Sequence, residues 1–281
     1  MTRSQPPSAD VRTDRARLPG RRRRPIRRTA IGAVREVRAT AASLCGVPSG
    51  LVHAAPPRSP GNLHSPAPFG DPGRTAPPVV LVHGFAGSST SWFAVRRALR
   101  TDGRTVVEFD YRPWASSVDE LADRLIETVD DVLAATGAGR VHLVGHSLGG
   151  VIIALALMRD RLVGHVDLVV TLGSPFGGSP WAGMLPLAPL LRALRPGSPL
   201  LRRLAAARAP AGVRWLSFVS SLDPIVPAHR AVPANRQATR VTVEAAGHCG
   251  MLLDPEVIAR IMAETMLLLE PAAAPGASLA A

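Results

Sequence analysis

The sequence predicts an α/β fold built on a mostly parallel sheet with helices on both faces. Three features carry this expectation: six short β-branched apolar runs recur from residue 79 onward, longer segments of helical periodicity separate them, and the runs stay apolar at successive positions instead of alternating. Strands covered on both faces have that texture, and strands alternating with helices are joined by crossovers that make neighbours parallel. The expected strands are Val79 to Val82, Thr105 to Phe109, Arg140 to Val144, Val166 to Leu172, Val213 to Val219 and Thr239 to Val243.

The helices follow from stripes and caps. From Val118 to about Ala134 the residues Val118, Leu121, Leu125, Val129 and Val132 share one face, and Ser117 with Glu120 reads as a capping box. An apolar helix is expected from Val151 to Met158. The last helix starts at Asp254, with Pro255 at its first position and a stripe of Val257, Ile258, Ile261 and Leu268.

Residues 1–78 differ in kind. They hold 14 Arg against 4 acids, and only 12 of them are Leu, Ile, Val or Phe, so they read as a disordered Arg/Pro-rich tail. Within it, Ile26, Ala30, Val34, Val37, Ala41 and Leu44 recur at helical spacing, which suggests a short basic amphipathic helix at 26–45. That helix could dock on the folded domain or on anionic lipid. Residues 271–281 read as a flexible C-terminal tail.

Charge and length exclude several classes. The formal charge of +12 resides in the tail, because residues 79–281 carry 19 Arg against 17 acids and offer no basic field for nucleic acid. No apolar run reaches the roughly 18 residues of a membrane helix. Cys45 and Cys249 have no metal-ligand spacing, so no metal and no cofactor is expected. The start lacks an uninterrupted apolar core before Arg35 and Glu36, so cytoplasmic or membrane-peripheral placement is the expectation, with secretion left open.

Gly145-His146-Ser147-Leu148-Gly149 fits G-x-S-x-G, after a strand and before a helix. In that context the serine sits on a sharp turn that tolerates only small neighbours, and Gly145, Gly149 and Gly150 provide them. The string alone also suits a glycine-rich turn that binds phosphate at a helix N-terminus. The strand–turn–helix setting favours a nucleophile.

Together with Val80-Leu81-Val82-His83-Gly84-Phe85, Leu172-Gly173-Ser174-Pro175, Asp223-Pro224-Ile225-Val226-Pro227 and Gly247-His248-Cys249-Gly250, this motif makes residues 79–270 resemble an α/β-hydrolase. The likeness is to the compact bacterial lipases and esterases that carry G-H-S-L-G-G. It implies an α/β-hydrolase catalytic domain with a short helical lid at about 175–212. The order Ser, Asp, His is that of the fold. No β-branched run precedes Val79, so the two strands that usually lead this fold are not expected.

A serine hydroxyl needs a base, and the base needs a group that fixes its tautomer. Ser147, His248 and Asp223 are the candidates. Asp110, which also follows a strand, competes for the acid, but Asp223 stands in the stretch that resembles the family's acid loop. His83, His142, His146, His165 and His229 read as structural histidines, and Asp254 as a helix cap. The resemblance assigns the oxyanion hole to the backbone N–H groups of Phe85 and Leu148. It also makes the lid, with seven Pro, five Arg and no acid, the place for an acyl chain, with Phe176, Trp181, Met184 and Leu185 as substrate-binding candidates. Equally, those side chains could only close the core.

The expected function is cleavage of carboxylic esters, of lipids or acylglycerols, by a Ser-His-Asp triad through an acyl-enzyme. Acyl transfer or thioester hydrolysis uses the same parts, and a noncatalytic binding protein on this scaffold is the alternative from another class. The expected partner is an ester substrate, with peripheral contact to an anionic membrane.

Overall fold

The computed structural model describes residues 76–112, 117–183, 188–208, 211–234 and 238–267. The amphipathic stretch 26–45, both tails and the candidates Met184 and Leu185 lie outside the described residues. Six strands form one sheet: β1 (Val79–Val82), β2 (Val106–Phe109), β3 (Val141–His146), β4 (Val166–Leu172), β5 (Arg214–Ser220) and β6 (Ala238–Val243). Their order is β2-β1-β3-β4-β5-β6, and every pairing is parallel.

Every residue of β1, β3 and β4 is buried, which is why these runs are largely apolar. Successive side chains of β1 alternate between two cores. Val80 and Val82 meet α2 (Val118–Thr136) and α3 (Leu148–Ala156), whereas Val79 and Leu81 meet α1 (Phe93–Thr101) and α6 (Pro255–Leu267). The insertion between β4 and β5 carries two short helices, α4 (Pro189–Ala193) and α5 (Pro199–Ala206), each opened by proline. Leu190, Leu194, Leu200, Leu201 and Leu204 close over the α2/α3 face.

The caps behave as the sequence suggests. Ser117 Oγ accepts the Glu120 N–H at 3.0 Å, and Asp254 Oδ1 accepts from Glu256 and Val257 at 2.9 and 3.2 Å. Several boundaries shift by a residue or more, and two of the shifts bear on the rim. β3 runs on to His146 because Gly145 and His146 still pair with Thr171 and Leu172 of β4. α3 begins at Leu148, three residues before the expected Val151, so Gly149 and Gly150 are helical despite their poor propensity. A Cβ on Gly149 would lie 2.1 Å from the Val82 carbonyl oxygen, and one on Gly150 would lie 2.0 Å from Ser174 Oγ. Close packing of helix on sheet overrides the local preference.

Candidate active site

The carboxyl ends of β1, β3, β4, β5 and β6 converge on one rim, where an open α/β sheet places its site. At the end of β3 the chain turns sharply through Ser147, whose φ of 51° and ψ of −121° are unusual for a side-chain-bearing residue. Ala86, in the turn after β1, is the other non-glycine residue with positive φ among the described residues. Backbone strain is thus confined to the two turns that face each other at this rim. The Ser147 N–H donates to the Leu172 carbonyl at 2.9 Å, which ties the turn to the end of β4.

Asp223 lies in the loop after β5, and its carboxylate is buried. Oδ1 accepts the N–H groups of Ile225 and Val226, each at 2.8 Å, and Oδ2 accepts from His248 Nδ1 at 2.8 Å. A carboxylate acceptor requires the proton on Nδ1, so His248 Nε2 carries the free lone pair. Gly173, just after β4, lies behind this pair: a Cβ there would come within 2.9 Å of Asp223 Oδ2 and 3.0 Å of His248 Nδ1. Its φ of +56° also favours glycine.

His146 supports His248 from the other side. Its Nε2 donates to the His248 carbonyl at 3.1 Å, and the two rings lie 4.7 Å apart. Burial, assisted by the neighbouring His248, pushes the His146 pKa down to about 3, so this ring stays neutral.

The turn after β1 is braced by Tyr111, the sole tyrosine of the chain. Its hydroxyl donates to the His83 carbonyl at 2.9 Å, its N–H donates to His83 Nε2 at 3.2 Å, and its ring stacks on the imidazole at 4.1 Å. His83 Nδ1 donates to the Gly84 carbonyl at 2.8 Å. Burial holds the His83 pKa below its ordinary value. Phe85 follows on this braced turn, and Leu148 is the first residue of α3, opposite it in the sheet order.

Asp110 is placed elsewhere. Its carboxylate is half-exposed, accepts the Ser89 N–H at 2.8 Å, and lies 3.6 Å from His83 Nε2, which already serves as an acceptor. His142 faces Asp167 across β3 and β4, His165 sits against the Gly139 carbonyl, and His229 is exposed. Of the substrate-binding candidates, Phe176 is buried and packs edge-on against Trp215 at 5.9 Å. Trp181 is 49% exposed, and its Nε1 donates to the Pro224 carbonyl at 2.6 Å.

Sequence reasoning missed Tyr111, Ser179 and the role of Gly173. Leu172-Gly173-Ser174-Pro175 stood out as a motif, but nothing in it tells what lies behind the glycine. Among the described residues no group of three metal-ligating side chains forms.

Comparison with known proteins agrees with this fold. The family model described as the alpha/beta hydrolase fold matches residues 77–215. A triacylglycerol lipase of Pseudarthrobacter phenanthrenivorans is 34% identical over 114 residues, which cover 37% of this chain and 35% of that lipase. A 1-acylglycerol-3-phosphate O-acyltransferase of Rattus norvegicus is 31% identical over 156 residues, 52% of this chain and 44% of its own length. The chain therefore matches less than half the length of these curated relatives. Among solved structures, the mature form of a Bacillus licheniformis lipase shares the fold with a TM-score of 0.61 and 19% identity, covering 73% of this chain and 96% of that one.

Proposed function

We propose that this chain, which belongs to the α/β-hydrolase fold family, cleaves carboxylic esters with Ser147 as nucleophile, His248 as general base and acid, and Asp223 as the group that orients the base. The observation that carries this reading is the buried Asp223–His248 pair, 2.8 Å between Oδ2 and Nδ1, on the same strand rim as the strained Ser147. In acylation, His248 Nε2 takes the Ser147 proton as Oγ attacks the ester carbonyl, then delivers it to the departing alcohol. In deacylation, water loses a proton to Nε2, its oxygen attacks the acyl carbonyl, and Ser147 recovers the proton as the acid leaves. The backbone N–H groups of Phe85 and Leu148 receive the oxyanion, and each such donor contributes on the order of 3 kcal/mol.

Lipid or acylglycerol esters are the substrate class this reading favours. The lipase relatives support it, and so does the exposed Trp181 beside the acid loop. Residues 175–234 carry seven Arg and one acid, the buried Asp223, while the rest of 79–281 carries twelve Arg against sixteen acids. That asymmetry supports placing this face on an anionic lipid surface.

Acyl transfer is the second reading, and the similarity to an acyltransferase favours it. It differs only in which hydroxyl meets the acyl-enzyme. The test is turnover of chromogenic esters of increasing acyl length by wild type, Ser147→Ala and His248→Ala, with and without an added acyl-accepting alcohol. Each substitution is expected to lower kcat by about a thousandfold or more. Hydrolysis predicts free acid as the product, and acyl transfer predicts a new ester that rises with alcohol concentration. A folded wild type inactive on every ester, or a Ser147→Ala protein as fast as wild type, would sink the assignment.

A further inference from the structure

Ser179 and Trp181, on the segment that follows β4, bind the same two peptide groups that hold the Asp223 carboxylate. The first peptide group joins Pro224 to Ile225. Its N–H donates to Asp223 Oδ1 at 2.8 Å, and its carbonyl accepts from Trp181 Nε1 at 2.6 Å. The second joins Ile225 to Val226, with its N–H donating to the same Oδ1 at 2.8 Å and its carbonyl accepting from Ser179 Oγ at 2.7 Å. A peptide group is planar, so fixing its oxygen fixes the direction of its N–H. A carbonyl that accepts a hydrogen bond also polarises its own N–H into a stronger donor.

The segment is itself anchored. Ser179 N–H donates to the Leu194 carbonyl at 3.0 Å, and Gly177 N–H donates to the Arg230 carbonyl at 2.8 Å. Ser179 is buried, and its hydroxyl additionally accepts the Trp181 N–H at 3.3 Å. The path from Leu194 to His248 Nδ1 therefore runs through hydrogen bonds, the buried Ser179 side chain, a rigid peptide group and the buried Asp223 carboxylate.

We propose that Ser179 and Trp181 are positioning residues: through the two peptide groups they aim the Asp223 carboxylate and so hold His248 in the tautomer and orientation that catalysis needs. The segment after β4 and the acid behind the base act as one mechanical unit. This rests on the triad reading above, in which Asp223 orients His248.

The test uses the full chain and four variants: Ser179→Ala, Ser179→Thr, Trp181→Phe, and Ser179→Ala with Trp181→Phe. The first readout is the low-field proton resonance of His248 Nδ1–H, assigned by its loss in His248→Ala and recorded without substrate. The second is kcat and KM on a short-chain chromogenic ester. Ser179→Ala should displace or broaden the resonance and lower kcat about tenfold, with KM within about twofold. Ser179→Thr, which keeps the hydroxyl, should restore both. Trp181→Phe keeps the ring and loses the N–H, and because that bond is open to water it should cost about threefold in kcat. The double variant should lose more than either single one.

An unchanged resonance and kcat in Ser179→Ala and Trp181→Phe would overturn the proposal, as would losses confined to KM, which would make Trp181 a wall of the substrate pocket. Should Ser179→Ala fail to fold, Trp181→Phe at its exposed position decides alone. A wild type that cleaves no ester yet shows a resonance displaced by these variants would sink the hydrolase reading and leave the positioning intact.

Discussion

At the residue scale, two histidines of the rim are held neutral by burial beside His248, the base of the proposed mechanism. His146 lies against His248, and a charge there would oppose the imidazolium that the proposed mechanism forms on His248. Its depressed pKa of about 3, against an ordinary 6.5, keeps that charge away. The same depression links folding to pH. Between pH 6.5 and about 3 the unfolded chain binds a proton at this position that the folded chain refuses, so stability falls as the medium is acidified. The contribution is complete above pH 6.5 and declines by about 1.4 kcal/mol per unit below it. Buried His83 acts in the same direction. His146→Gln can still donate to the His248 carbonyl but does not titrate. Its unfolding free energy, from urea titrations at a series of pH values between 6 and 4, should therefore fall less steeply than that of wild type. Parallel slopes would show that His146 is protonated in the folded state.

At the element scale, the glycines separate into those required by backbone conformation and those required by close approach. Gly137 ends α2 in the left-handed region at φ 66°, its N–H donating to the Leu133 carbonyl, and a Cβ there would meet nothing within 4 Å. Gly137→Ala should cost about 1 kcal/mol, the strain of placing a Cβ at positive φ. Gly149 is different, since its Cβ would lie 2.1 Å from the Val82 oxygen and 2.7 Å from that of His83. Relief requires moving α3 away from β1, and with it Ser147, so Gly149→Ala should cost more than about 3 kcal/mol and abolish activity. Thermal unfolding of both proteins measures the contrast, and equal losses would refute the distinction. The places of the strands and of α2, α3 and α6 are legible, because apolar runs and caps are local signals. The start of α3 is not, because its two glycines are helical only by virtue of what they pack against.

At the scale of the whole molecule, charge is unevenly distributed. The stretch 175–234 is strongly basic while the remainder of 79–281 is net acidic, and Trp181 and Ile225 stand exposed where hydrogen bonds join the insertion to the acid loop. If this face meets lipid, the chain should bind anionic vesicles more tightly than zwitterionic ones, and salt should weaken the binding. The Arg-rich tail would add to such binding, so the informative variants lie in the stretch 175–234. Arg192→Glu with Arg208→Glu, and separately Trp181→Ala, should each lower vesicle affinity in a sedimentation assay. Unchanged affinity in both would assign the binding to the tail.

The sequence by itself determined the layered α/β architecture, the places of the six strands, and the serine, histidine and aspartate that stand as candidates for chemistry. The architecture follows from periodicity and capping residues, and Ser147 from a turn motif whose steric needs are local, whereas His248 and Asp223 follow from the resemblance to α/β-hydrolases. Only the tertiary structure decided which acid meets His248, because Asp110 and Asp223 both follow strands and nothing nearby in sequence tells which strand lies beside β6. It also revealed Tyr111 behind the first turn, Gly173 behind the Asp–His pair, and Ser179 and Trp181 behind the acid loop. Each of these acts through a partner dozens of residues away, and the order of strands in the sheet sets which partner that is.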